Sequence, residues 1–91
     1  MKKYKVYKHT NKINGKVYIG ITGQKPNVRW NNGTGYRGTH FANAINKYGW
    51  ENFTHEILEK GLSLKKAWAR EKYYISKFDS FGNGYNADEG G

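Results

Sequence analysis

From Leu64 to Phe78 the chain runs LKKAWAREKYYISKF, without glycine or proline, and its apolar residues Leu64, Trp68, Ile75 and Phe78 step by four, seven and three. That spacing predicts a helix with a single buried stripe. Glu71 fills the gap in the series, and at about 100° per residue the five positions share an arc of about 80°. Burying an unpaired carboxylate is costly. Glu71 is therefore expected to pair with a Lys or Arg, to carry a raised pKa, or to reach a bound cation through a cleft.

Upstream the period changes to two. Residues 4–9, YKVYKH, and 16–21, KVYIGI, alternate as strands do, and the intervening Thr10–Gly15 holds Asn11, Asn14 and Gly15, residues suited to a turn. An antiparallel hairpin follows. Its face with Val17, Ile19 and Ile21 is aliphatic and is expected to meet the core, while the other, with Tyr7 and Tyr18, reads as the polar face. Pro26 opens a short helix over Asn27–Asn32, which Gly33-Thr-Gly35 ends. Thr39 caps a helix over His40–Tyr48, stopped by Gly49, with Phe41, Ile45 and Tyr48 on one face. Phe53–Leu58 alternates as a third strand, and Ser63 suits the N-cap of the long helix. The glycine-rich tail after Phe78 lacks periodicity and is expected to be held by Tyr85 and Asn86. The sum is an α+β fold, a small three-stranded antiparallel sheet flanked by helices, with residues 1–91 as a single domain.

Composition narrows the chemistry. The chain has no cysteine, which excludes a disulfide framework and thiolate metal sites. No apolar run has the length of a membrane span, the lysine-rich start lacks the apolar stretch of a signal peptide, and a cytoplasmic location is expected. The net charge of +9 is one-sided: residues 1–50 hold ten Lys or Arg and no Asp or Glu, whereas 51–91 hold six against seven acids. Such asymmetry points to a polyanion, and nucleic acid fits best because nothing here resembles an amphipathic membrane helix. Lys5, Lys8, Lys12, Lys25 and Arg37 are the candidate phosphate contacts.

No phosphate loop, no paired His ligands at helical spacing and no serine in a glycine elbow occur. His9 and His55 read as strand-surface or packed imidazoles. What remains is Glu71, Arg29, His40, Tyr7 and Tyr18. This set suits phosphodiester hydrolysis, which needs a cation on the phosphate, charge neutralisation at the leaving oxygen and a base near water. One carboxylate is a poor site for a soft metal, but Mg²⁺ keeps most of its waters and accepts one protein oxygen plus substrate phosphate.

These residues carry a resemblance to the GIY-YIG nuclease domain. The second signature triplet stands intact as Tyr18-Ile19-Gly20 after Lys16-Val17, and the first stands as Lys5-Val6-Tyr7, keeping its tyrosine. Arg29, His40, Asn46-Lys-Tyr-Gly49, Glu71 before Tyr73-Tyr74-Ile75, Gly84-Tyr85-Asn86 and Glu89-Gly90-Gly91 follow in the family's order. The resemblance implies a metal-dependent endonuclease acting on DNA with one Mg²⁺ (or Mn²⁺), leaving a 5′-phosphate and a 3′-hydroxyl. It implies that Glu71 binds the cation and that Arg29 positions the phosphoryl group. Tyr7 and Tyr18 would flank the attacking water, Lys16 or His40 would assist proton transfer, and Asn86 would hold the closing loop. The tyrosines, with ordinary pKa values near 10, need a nearby cation to act as a base, and Lys16 and Arg29 are the candidates. Valine in the first triplet preserves a β-branched strand residue; lysine in place of glycine either crowds the site or points to solvent or phosphate. Low sequence specificity is expected of this chain alone, with a partner, an oligomer or a further region supplying the rest. The alternative is a non-catalytic, basic nucleic-acid-binding module of the same fold.

Overall fold

The computed structural model describes residues 2–88 and 90, so Glu89 and Gly91 of the closing match lie outside the described residues. β1 (Tyr4–Asn11) and β2 (Val17–Thr22) form the antiparallel hairpin. Its turn is built by asparagine: Asn11 Oδ1 accepts from Ile13 N at 2.8 Å, Asn14 Oδ1 accepts from Lys16 N at 2.9 Å, and Gly15 takes φ +76°. β3 (Phe53–Leu62) pairs antiparallel with the other edge of β1, giving the order β2-β1-β3. The expected sheet is thus present, but its third strand runs past Leu58. Register shifts between Tyr4 and Tyr7, together with Gly61 at φ +72°, let β3 continue to Leu62.

α2 (His40–Tyr48) and α3 (Leu64–Phe78) have the expected bounds, and their caps explain them. The Thr39 hydroxyl accepts from Ala42 N at 3.3 Å, and that of Ser63 accepts from Lys66 N at 3.2 Å. α1 (Pro26–Trp30) stops earlier than expected and leads into a 3₁₀ segment, Asn31–Tyr36. Asn31, Asn32 and Gly33 all have positive φ, at 44°, 54° and 90°. Asparagine tolerates this region better than other non-glycine residues.

The sheet is covered on both sides, which corrects the expectation that Tyr7 and Tyr18 occupy a polar face. Val6, Val17, Ile19 and Ile75 form an aliphatic core, with Ile21, Leu58, Leu62, Tyr74 and Phe78 packed around it. Tyr7, Tyr36, Phe41, Ala44, Phe53 and Tyr85 form a second, aromatic core, joined by Tyr18, Trp30, Ile45, Tyr48 and Trp50. Aromatic rings with a polar tip build this layer because each buries a large body and hydrogen-bonds its tip.

The stripe of α3 is also turned from the expected one. Leu64 and Trp68 are exposed, Ala67 and Ile75 are buried, and Arg70, Glu71, Tyr74 and Phe78 are half-buried. At 100° per residue the buried sector lies about 50° from the stripe drawn through the large apolar residues. Glu59 on β3 fixes this orientation, because its carboxylate accepts from Arg70 Nε and from the Tyr74 hydroxyl, each at 2.7 Å. Glu71 keeps its place within the sector.

Candidate active site

Tyr7 sits at the centre of β1, paired across the ladder with Gly20. Two residues on, the period of two returns His9 to the same face, where it pairs with Tyr18 of β2 and His55 of β3. His9 is fully buried, and both ring nitrogens are engaged: Nδ1 lies 2.9 Å from His55 Nδ1, and Nε2 lies 2.7 Å from the Tyr36 hydroxyl. That hydroxyl in turn donates to the Tyr7 hydroxyl at 3.0 Å. Phe41 of α2 stacks on Tyr18 at 4.6 Å between centroids, and Trp50 stacks on His55 at 4.2 Å.

Charge enters from two helices. Arg29 of α1 donates from Nη1 to the Gly35 carbonyl at 2.6 Å and lays its guanidinium over the Tyr36 ring at 4.5 Å. It is thereby oriented within the phenol cluster. Burial raises the pKa of Tyr7; the hydrogen bond from Tyr36 and the charge of Arg29 lower it, and the charge of Glu71 raises it. Burial also raises Tyr18, helped by Tyr7, Glu71 and Asp88 and opposed by Arg29. Tyr36 is raised by burial and by Tyr7. Burial, then His55 and Arg29, holds His9 neutral, its pKa lowered to about 2. Arg29 and Glu71 therefore act on the same two phenols with opposite signs, Arg29 from the aromatic side and Glu71 through its charge from α3.

The other site candidates are more dispersed. Lys16 and the exposed His40 line one shallow cleft of about 210 Å³ with Asn14, Asn43, Lys47 and Tyr85. Asn86 spends its amide on the backbone: Oδ1 accepts from Ile19 N and Nδ2 donates to Ile19 O, both at 2.8 Å. Among the basic candidates, Lys12, Lys25 and Arg37 are exposed, and Arg37 borders a second cleft with His40. Lys5 is half-buried beside Ile57–Lys60 of β3. Lys8 lies on the α3 side of the sheet, 3.6 Å from Glu56 and over the Phe78 ring at 4.5 Å, away from the phenols. Sequence reasoning missed Tyr36 and Asp88. Tyr36 is the one aromatic side chain in the polar stretch NNGTGYRGT, and that is the available signal.

Residues 3–86 match the sequence profile of the GIY-YIG catalytic domain. The chain belongs to the GIY-YIG family. The matched domain is a catalytic one, and the chain is that of an enzyme. It is similar to segD of Enterobacteria phage T4, a protein assigned as an endonuclease, with 36% identity over 90 residues, covering 98% of this chain and 39% of that protein. To segB of the same phage, assigned likewise, it is 47% identical over 58 residues, covering 62% of this chain and 24% of that protein. The chain thus spans about two fifths of one relative's length and about a quarter of the other's as aligned. Among solved structures, a point mutant of the catalytic domain of intron endonuclease I-TevI superposes with a TM-score of 0.80 at 26% identity, covering 96% of this chain and 95% of that one. A second structure, of the catalytic domain of homing endonuclease I-TevI, gives 0.79 at 24% identity, covering 93% and 98%, and bears on the fold alone. No helix among the described residues of the GIY-YIG chain is long and apolar enough to cross a membrane.

Proposed function

We propose that the chain is a divalent-metal-dependent DNA endonuclease that hydrolyses a phosphodiester, leaving a 5′-phosphate and a 3′-hydroxyl, with low sequence specificity on its own. The observation that carries this reading is the convergence of one guanidinium and one carboxylate on two phenols, within a family of nuclease catalytic domains. The phage relatives' endonuclease assignments support DNA as the substrate, as does the basic first half of the chain.

Glu71 is the residue that would hold the metal. Among the described residues no group of three or more His, Cys, Asp and Glu gathers as a metal cage, so the donor set suits a hard cation that takes one protein oxygen and completes its shell with water and phosphate. That fits Mg²⁺ or Mn²⁺. Bound there, the ion would neutralise charge building on the phosphate and the departing oxygen. Arg29, already oriented by Gly35 and Tyr36, binds the phosphoryl oxygens and fixes their angle to the phenols. Tyr7 and Tyr18 orient the attacking water, and one of them relays its proton, passing its own to the departing oxygen as it takes the water's; the charge of Arg29 opposes the rise that burial gives both phenols. Lys16 and His40 line a separate cleft and hold the flanking strand or serve the proton traffic from there.

Supercoiled plasmid incubated with wild type, Glu71→Ala and Arg29→Ala over a Mg²⁺ and Mn²⁺ series tests this. Wild type nicks, and each variant loses metal-dependent cleavage while its far-ultraviolet circular dichroism stays native. A Glu71→Ala protein that cuts like wild type removes the metal role. A wild type that binds DNA tightly and salt-sensitively yet never nicks makes the chain a binding module instead.

A further inference from the structure

We propose that Tyr36, backed by His9 and His55, is the positioning residue for Tyr7: a one-way run of hydrogen bonds fixes the Tyr7 oxygen as an acceptor and leaves its own O–H directed at the reacting phosphate and water. The catalytic part of this rests on the nuclease reading above; the hydrogen-bond run does not.

With Tyr36 as the donor to Tyr7, counting protons orders the rest. Tyr36 has one hydroxyl proton and donates it to Tyr7 at 3.0 Å. Its oxygen, 2.7 Å from His9 Nε2, must then accept, so His9 carries its proton on Nε2. His9 Nδ1 is left bare and, at 2.9 Å, accepts from Nδ1–H of His55. Every donor in the series His55, His9, Tyr36, Tyr7 therefore points toward Tyr7. The inner members, His9, Tyr36 and Tyr7, are all fully buried, whereas His55 reaches the surface at a cleft it shares with Asn27, Trp30 and Trp50. A buried polar network that is satisfied at each link holds one arrangement, because any rotated member leaves a neighbour unpaired.

Tyr7 is consequently unlike Tyr18. A phenol that relays a proton, handing its own to the departing 3′ oxygen as it takes one from the attacking water, needs its oxygen fixed in advance, and the Tyr36 donor does that while supporting negative charge at the same atom. The titratable and charged groups facing Tyr7 are Arg29 of α1, Glu71 of α3, Tyr18 of β2, His9 of β1, whose ring lies 5.0 Å away, and Tyr36 itself. Tyr36 and Arg29 both hydrogen-bond to Tyr7, and of the two it is Tyr36 that ties it to the buried His9.

The test pairs a spectroscopic arm with a kinetic one on the full chain. With ¹⁵N-histidine labelling, His9 is expected to show a single neutral, Nε2-protonated ring between about pH 4 and pH 9, and Tyr36→Phe is expected to release it into a mixture of tautomers. In single-turnover cleavage of supercoiled plasmid with Mg²⁺ or Mn²⁺, Tyr36→Phe lowers kcat about tenfold to hundredfold, the loss expected for a hydrogen bond to a group that becomes charged, and leaves KM within about twofold. His9→Phe, which lacks the Nε2 donor, follows Tyr36→Phe, and His9→Gln, which restores a donor there, recovers most of the rate. If Tyr36→Phe does not fold, the His9 pair decides the matter by that same difference. An unchanged tautomer in Tyr36→Phe, or equal rates for His9→Phe and His9→Gln beside an active wild type, overturns the proposal. A wild type inactive with every cation but with the Nε2 tautomer locked fails the nuclease reading and the catalytic role, and leaves the hydrogen-bond run standing.

Discussion

The phenol of Tyr7 lies over the backbone of its ladder partner Gly20 so closely that a β-carbon at position 20 would stand 2.5 Å from both the ring carbon Cζ and the hydroxyl oxygen. The glycine of the Tyr18-Ile19-Gly20 triplet is therefore demanded by the seat of a side chain on the next strand. Gly20→Ala is expected to push the Tyr7 hydroxyl off its Tyr36 donor, to destabilise the fold by about 1–3 kcal/mol as overpacking does, and to reduce cleavage with it. A double-mutant cycle checks the cause: in a Tyr7→Ala background the added methyl has nothing to displace, and its penalty should vanish. A penalty that persists there would place the strain elsewhere.

Arg29 is held by geometry that lysine cannot copy. Its Nη1 reaches the Gly35 carbonyl at 2.6 Å while the guanidinium plane covers the Tyr36 ring, and an ammonium offers no plane to stack. Arg29→Lys should keep metal-free DNA affinity close to wild type, since the charge remains, yet lower the cleavage rate by at least about tenfold. Filter binding and single-turnover cleavage separate the two effects. Full cleavage by the lysine variant would reduce Arg29 to a generic phosphate contact.

The parts of the fold legible in the sequence are those settled within a few residues. Thr39 and Ser63 announce the starts of α2 and α3, and the asparagines and Gly15 announce the hairpin turn. Tyr7, Tyr18, Arg29 and Glu71 were legible as candidates from residue type and order. What stayed hidden depends on partners distant in the chain. A period of two says that Tyr7, Tyr18 and His9 share a face, but not whether that face is wet, because their rings are apolar and their tips polar. The orientation of α3 escaped because small Ala67 is buried while large Trp68 is exposed, a choice made by Glu59 on another strand. Tyr36 arrives through successive left-handed residues, a path no periodicity describes.

His9 makes the fold sensitive to mild acid. Its pKa, lowered to about 2 by burial and by His55 and Arg29, lies below the ordinary value of 6.5 that it regains on unfolding. The unfolded chain therefore binds a proton that the folded one refuses. The stabilisation is complete above about pH 6.5 and is lost as pH falls from there toward the folded value, by about 1.4 kcal/mol per pH unit at the steepest. Between about pH 7.5 and pH 5 this amounts to about 2 kcal/mol from His9 alone, with His55, also lowered by burial, adding in the same direction. Urea midpoints of wild type and His9→Gln measured across that range should converge in acid, because the variant has no imidazole at position 9 to protonate. Parallel curves would mean that His9 titrates normally in the folded state.

Asn86 seals an open edge. Among the described residues no strand lies on the outer side of β2, and the side chain of Asn86 takes the place of one, accepting from Ile19 N and donating to Ile19 O at 2.8 Å each, while Tyr85 N donates to Val17 O at 2.9 Å. Removing the amide leaves a buried donor and a buried acceptor unpaired, so Asn86→Ala is expected to cost about 2–4 kcal/mol. Asn86→Asp keeps the acceptor but sets an oxygen against the Ile19 carbonyl, and should recover little of that loss. Amide exchange locates the damage: the Ile19 N–H should exchange faster in both variants, whereas β1 amides bonded to β3 keep their protection relative to global stability. An Asn86→Ala protein as stable as wild type but inactive would instead put this amide in direct contact with the DNA or the water, because a residue that only fastens the tail to the strand cannot lose activity without loosening that strand.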